Sequence, residues 1–291
     1  MRQDVRTATR ERLLAGVPIG EGRYELAGVP TAVLEGGSGP PIVLLHAEGE
    51  FAALWTTVIP DLVHTHRVIA PDLPGHGESG ATGPLDAAHA VAWLAELVER
   101  TCTGPPTLVG RGLGAAVAAR VAVTGRPLAG LVLTTALGLA EFAPAPSFAA
   151  AVDGFFAQPS ARTRDLMFAQ CFADLDGLRR RMGERWEPIA DYALERFGTP
   201  QMQAAMAGLV PAFMQPIPAA DLRGITMPTT LIWGRDDLHV PLAIAEAAHR
   251  RYGWPLHVID DAGDAPSLEQ PEAFLAALRA ALGTPSAGEQ S

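Results

Sequence analysis

Apolar residues come in short unbroken runs along this chain: Ile42–Leu45, Thr107–Val109, Gly130–Thr134, Thr229–Trp233 and Leu256–Ile259. Runs this short and this apolar suit strands buried on both faces of a sheet. Between them lie stretches of helical length and spacing, at Ala53–His64, Leu85–Arg100, the alanine-rich segment after Gly114, Pro241–Tyr252 and Pro271–Leu282. A strand, helix, strand, helix rhythm predicts a mostly parallel, doubly wound α/β sheet. Ahead of the first run, RYELAGVPTAVLEGGSG predicts two further short strands from Arg23 onward. Residues 1–22 read as a polar leading helix at the periphery.

The rhythm stops between Gly138 and Asp221. That stretch is helical in pattern, with breaks expected at Pro144, Pro146, Pro159, Pro188 and Pro200. It holds eight of the ten phenylalanines and five of the seven methionines, so it is an apolar helical insertion and not a solvated linker. The stripe Met202, Met206, Leu209, Phe213 has helical spacing and either packs the insertion on the main domain or lines an apolar pocket. The expected organisation is a core of residues 23–137 and 222–283, an inserted cap at 138–221, and a disordered tail at 284–291.

Composition narrows the function. With 291 residues and 48% hydrophobic content, the chain buries a sizeable core as one domain with an insertion. A net charge of −10 and the lack of a basic patch exclude a nucleic-acid partner. All 22 basic residues are arginine, which excludes Schiff-base chemistry. No apolar run approaches the ~20 residues of a membrane span, and the charged N-terminus lacks the apolar stretch of a secretion signal. The expectation is a cytoplasmic protein without membrane association. Cys102 and Cys171 lie far apart and read as ordinary thiols. His64 and His66 read as solvated and His76 as a surface loop residue; neither a metal nor a cofactor is called for.

Candidate chemistry centres on TLVGRGLGAAVAAR, Thr107 to Arg120, where a strand meets a glycine-dense turn and then a helix. GRGLGA formally fits a dinucleotide fingerprint, but the next strand ends in Thr134, Thr135 and Ala136, with no acid to hold a ribose. Three further motifs follow the same order as a known family: APDLPGHGESG at 70–80, LIWGRDDLHVP at 231–241 and AGDAPSLEQPEAF at 262–274. Together, over residues 23–283, they resemble the α/β-hydrolase family, whose nucleophile elbow reads Gly-x-Ser-x-Gly. Gly110 and Gly114 match, and the serine position is Gly112.

The resemblance implies a serine, histidine and acid triad with backbone amides receiving the oxyanion. Carried over by position, the acid is Asp237, with Asp236 the fallback. The histidine position is Asp264. The oxyanion amides would be those of Glu48 and Leu113, and the His-Gly pair before that loop reads His46, Ala47. Arg111, beside the missing nucleophile, needs a carboxylate partner, with Asp237, Asp264 and Glu48 as candidates. His46, Glu48, Arg111, Gly112, Leu113 and His239 are the candidate binding residues.

Two carboxylates close together in a dry cleft cannot both ionise, so an Asp237–Asp264 pair would supply an acid beside a base. The expectation is a cofactor-independent acid–base enzyme, a cyclase, lyase or isomerase, acting on an apolar small molecule in natural-product biosynthesis. Two other readings stay open: a non-catalytic protein binding a ligand or partner, and a hydrolase using water activated by the aspartate pair. The oligomeric state is open, a homodimer included.

Overall fold

The computed structural model describes residues 9–82 and 85–283; the expected tail lies outside the described residues. Eight strands form one sheet: β1 (Gly20–Leu26), β2 (Val29–Gly36), β3 (Pro41–Leu45), β4 (Arg67–Pro71), β5 (Thr107–Arg111), β6 (Gly130–Thr134), β7 (Thr229–Gly234) and β8 (Leu256–Ile259). Their order is β1-β2-β4-β3-β5-β6-β7-β8. β1 and β2 join antiparallel, and β3 to β8 with β4 run parallel. The unbroken apolar runs fall where expected, since every residue of β3, β6 and β7 is buried. At the sheet edge β1 is largely exposed or half-buried, as a strand covered on one side should be.

Helices cover both faces. Helix Ala87–Thr101 starts where the Asp86 side chain accepts the His89 amide at 2.8 Å, and it lays Trp93, Leu94 and Leu97 on the sheet. Helix Gly112–Val123 is buried from Gly112 to Ala119. Its glycines and alanines allow that, because small side chains let the sheet and its neighbours approach closely. Leu44, Val109, Val132 and Ile232 point to the opposite face, toward helix Pro271–Ala281.

Several local expectations are corrected. Ala53–His64 is a 3-10 helix, Ala52–Thr57, followed by the single turn Ile59–Leu62, because Pro60 has no N–H to continue a helix. Pro188 does not break the cap; it sits in the first turn of helix Trp186–Phe197, where an N–H has no helical partner anyway. Residues 9–14 are helical but not peripheral. The Arg10 guanidinium is buried and paired with Asp72 at 3.0 Å and Glu21 at 2.8 Å.

The insertion is a set of helices: Pro146–Ala157, Ala161–Cys171, Leu175–Met182, Trp186–Phe197 and Pro200–Met214. The methionine and phenylalanine stripe divides its work. Leu209 and Phe213 join the core of the main domain, whereas Met206 faces a cavity beneath the cap.

Candidate active site

The cavity lies at the carboxyl ends of the parallel strands, where open α/β sheets bind ligands. β3 leads into the loop carrying Glu48 and Glu50, β5 ends at Arg111 before Gly112, β7 leads to Asp237 and His239, and β8 leads to Asp264. At the elbow the chain turns so sharply that a Cβ on Gly114 would stand 2.5 Å from the carbonyl oxygens of Leu45 and His46. Gly112 has φ +52°, the left-handed conformation of an elbow nucleophile, with no side chain to present.

Glu48 takes that place. A Cβ on Gly112 would collide with Glu48 Oε2 and stand 2.8 Å from the Ala47 Cβ. Glu48 Oε2 accepts the Leu113 amide at 2.9 Å. One of the two amides matched to the oxyanion hole therefore points at a carboxylate of the chain itself. Glu48 Oε1 lies 3.1 Å from His239 Nε2. Burial opposes both charges, but the pairing outweighs it: Glu48 is held at about 2 and His239 is raised to about 9. At neutral pH the two form a carboxylate–imidazolium pair. The His239 ring stacks on Phe148, centroids 4.7 Å apart and planes within 6°, which fixes its orientation.

Asp237 and Asp264 lie near enough for the charge of Asp264 to act on Asp237. Asp237 is buried, and its Oδ1 accepts the His239 and Val240 amides, each at 2.9 Å. Its Oδ2 has no hydrogen-bond partner among the described residues. Burial and the neighbouring Asp264 push Asp237 up to about 7 against those two amides. Asp264 lines the cavity. Burial raises its pKa too, while Arg111 and His239 restrain the rise. Both carboxyls are therefore biased toward the protonated form.

Arg111 is buried and ion-paired with Glu50, an acid not among the three expected from the sequence, while Asp264, one of those three, is the carboxylate whose charge most favours its cation. Glu50 also accepts the Ala47 amide at 3.0 Å, which ties the oxyanion loop to the elbow. His46 is a second correction. Its Nδ1 donates to the Ala47 carbonyl at 2.7 Å and its Nε2 accepts the Leu73 amide at 2.9 Å, so neither nitrogen is free to bind a ligand. Burial lowers its pKa to about 3 and keeps the ring neutral. His76 and His66 are buried rather than solvated, and His76 packs its ring 5.4 Å from that of His46.

Two participants escaped the sequence reading. The Cys171 thiol lies against the Asp264 carboxyl; burial and that carboxyl push it well up, so it stays a thiol. Glu269 accepts the amides of Gly263 at 2.8 Å and of Ala173 at 2.7 Å, latching the cap to the Asp264 loop. Glu50 was legible as the next acid in HAEGE, but nothing in the local sequence points Cys171 at Asp264. Among the described residues no group of three or more His, Cys, Asp or Glu could hold a metal ion.

The cavity between cap and core is about 280 Å³. Glu48, Glu50, His239 and Asp264 form one polar end, and Phe148, Phe156, Phe168, Phe172, Trp186 and Phe197 wall the remainder. An apolar pocket with a few convergent polar groups is the usual form of a small-molecule site.

The Alpha/beta hydrolase family profile matches residues 42–277, and the chain belongs to that family. It is 29% identical over 255 residues to the pimeloyl-[acyl-carrier protein] methyl ester esterase of Methylococcus capsulatus, covering 81% of this chain and 92% of that protein. The enzyme of the same name from Aromatoleum aromaticum is 32% identical over 250 residues, covering 80% and 94%. Among solved structures, the Rhodococcus 2-hydroxy-6-oxo-6-phenylhexa-2,4-dienoate hydrolase superposes with a TM-score of 0.79 at 24% identity, covering 91% and 99%. That likeness shows the fold.

These relatives overturn the expectation of a cyclase, lyase or isomerase. They are named esterases, which conflicts with a non-hydrolytic reading. That expectation rested on the absent serine and histidine.

Proposed function

We propose that this chain hydrolyses an ester, or a comparable carbonyl derivative, of an apolar small-molecule acid by direct attack of water. One observation carries the reading: Asp264 stands at the family's histidine position, facing the cavity, with Asp237 behind it and no side chain on Gly112 to attack first. The ionised Asp264 takes a proton from water as the water oxygen bonds to the carbonyl carbon. The tetrahedral intermediate collapses, the alcohol departs, and the His239 imidazolium supplies its proton. Glu48 keeps His239 charged and leaves the Leu113 amide when the carbonyl oxygen arrives there.

The aromatic wall supports an apolar acyl group, and the esterase names of the relatives support the bond type. Arg111, paired with Glu50, also acts on Asp264, whose ionised form its charge favours. A cytoplasmic setting belongs to the same reading, and the unpaired Cys102 and Cys171 support a reducing compartment.

The test is turnover of methyl and p-nitrophenyl esters of straight-chain acids by the purified protein. Expected are steady hydrolysis with no acyl-enzyme burst, resistance to serine-directed fluorophosphonates, and a loss of at least ~100-fold in kcat for Asp264→Asn. Esters recovered unaltered, or an Asp264→Asn variant at full rate, would overturn the reading.

A further inference from the structure

The oxyanion amides of a hydrolase normally face empty space or a ligand; here that of Leu113 faces Glu48. The Glu48 carboxylate takes the Leu113 amide at 2.9 Å and stands 3.1 Å from His239 Nε2. A backbone N–H and an imidazole converging on one carboxylate amount to a recognition site for that group. Glu48 Oε1 is buried, and among the described residues its ion pair is with His239. The occupant hangs from a loop residue, and both Glu48 and His239 line the apolar cavity.

Space was made for this arrangement at the elbow. Any side chain at residue 112 would collide with Glu48 Oε2, so the missing serine and the inserted carboxylate are one change seen from two sides.

We infer that the Leu113 amide and His239 form a carboxylate-binding site, occupied at rest by Glu48, for which the carboxylate of an apolar acid competes. Its tail lies along the aromatic wall by Phe148 and Phe156. That this acid is the reaction product rests on the hydrolase reading; the binding itself does not. In a hydrolytic cycle Glu48 then has a second part, returning to the Leu113 amide and expelling the product anion.

The experiment measures octanoate binding by titration calorimetry at pH 7 to the wild type, Glu48→Ala and Glu48→Gln, with uncharged octanamide as the control. Glu48→Ala empties the site and is expected to bind octanoate at least tenfold tighter than the wild type, with no such gain for octanamide. Glu48→Gln keeps an oxygen for the Leu113 amide but loses the ion pair, so it falls between, and it serves alone if the alanine variant does not fold. Equal gains for acid and amide would mean a mere enlargement of the cavity, and that result overturns the site, as does any failure to gain. Octanoate gain without ester turnover would instead sink the hydrolase reading and leave the site standing.

Discussion

The Glu48 carboxylate fills the volume that a side chain on Gly112 would need. Restoring the family's serine therefore meets an obstacle already in place. Gly112→Ser must adopt φ near +52° and push Glu48 off the Leu113 amide. The expected cost is about 1 to 3 kcal/mol in urea unfolding. Glu48→Ala added to Gly112→Ser should recover at least about 1 kcal/mol of it, and additive effects in the double variant would refute the steric coupling.

Stability should fall between about pH 6.5 and 9. His239 is raised to about 9 when folded, so its contribution is complete below its unfolded value of 6.5 and disappears as pH climbs through 9. Glu48 behaves oppositely, being held at about 2, and its contribution is lost only as pH drops from 4.5 through 2. In His239→Gln the decline above pH 6.5 should flatten, as read from denaturation midpoints at successive pH values.

Asp237 is a liability for the folded state at neutral pH. Its folded pKa of about 7 exceeds the unfolded 3.8, so folding favours the protonated form and stability drains away as pH rises from 3.8 to 7. Asp237→Asn keeps an oxygen for the His239 and Val240 amides and removes the charge. It should gain about 1 to 3 kcal/mol at pH 8 and nothing at pH 3.5. Chemical denaturation at the two pH values decides it.

Ester hydrolysis should follow a bell in pH. The rising limb, near 7, marks ionisation of the Asp237 and Asp264 carboxyls, and the falling limb, near 9, marks deprotonation of His239. A rate that climbs steadily through pH 10 would exclude His239 as the acid.

The parallel sheet was legible because IVLL, GLVLT and TTLIW are too short and too apolar to be anything but covered strands. The two aspartate positions were legible too, since the family's loop order brings the chain after β7 and after β8 to the same end of the sheet whatever residues follow. Ion-pair partners were not. Arg111 pairs with Glu50, an acid not named in advance, because the turn of the loop after β3 decides which acid reaches it, while the expected Asp264 acts on it as a nearby charge. Nor did local polarity place Arg10, which reads as a surface residue yet is buried against Asp72, a contact between segments 62 residues apart. Arg10→Met should accordingly cost about 3 kcal/mol by leaving Asp72 without its cation, measurable as a lowered urea midpoint.

The latch at Glu269 ties two motions into one. The Ala173 amide hangs on the carboxylate that holds Gly263, and the Asp264 amide donates to the Cys171 carbonyl at 3.0 Å. On the hydrolase reading, lifting the cap along this seam would carry Asp264 with it, so opening on that side and turnover would exclude one another.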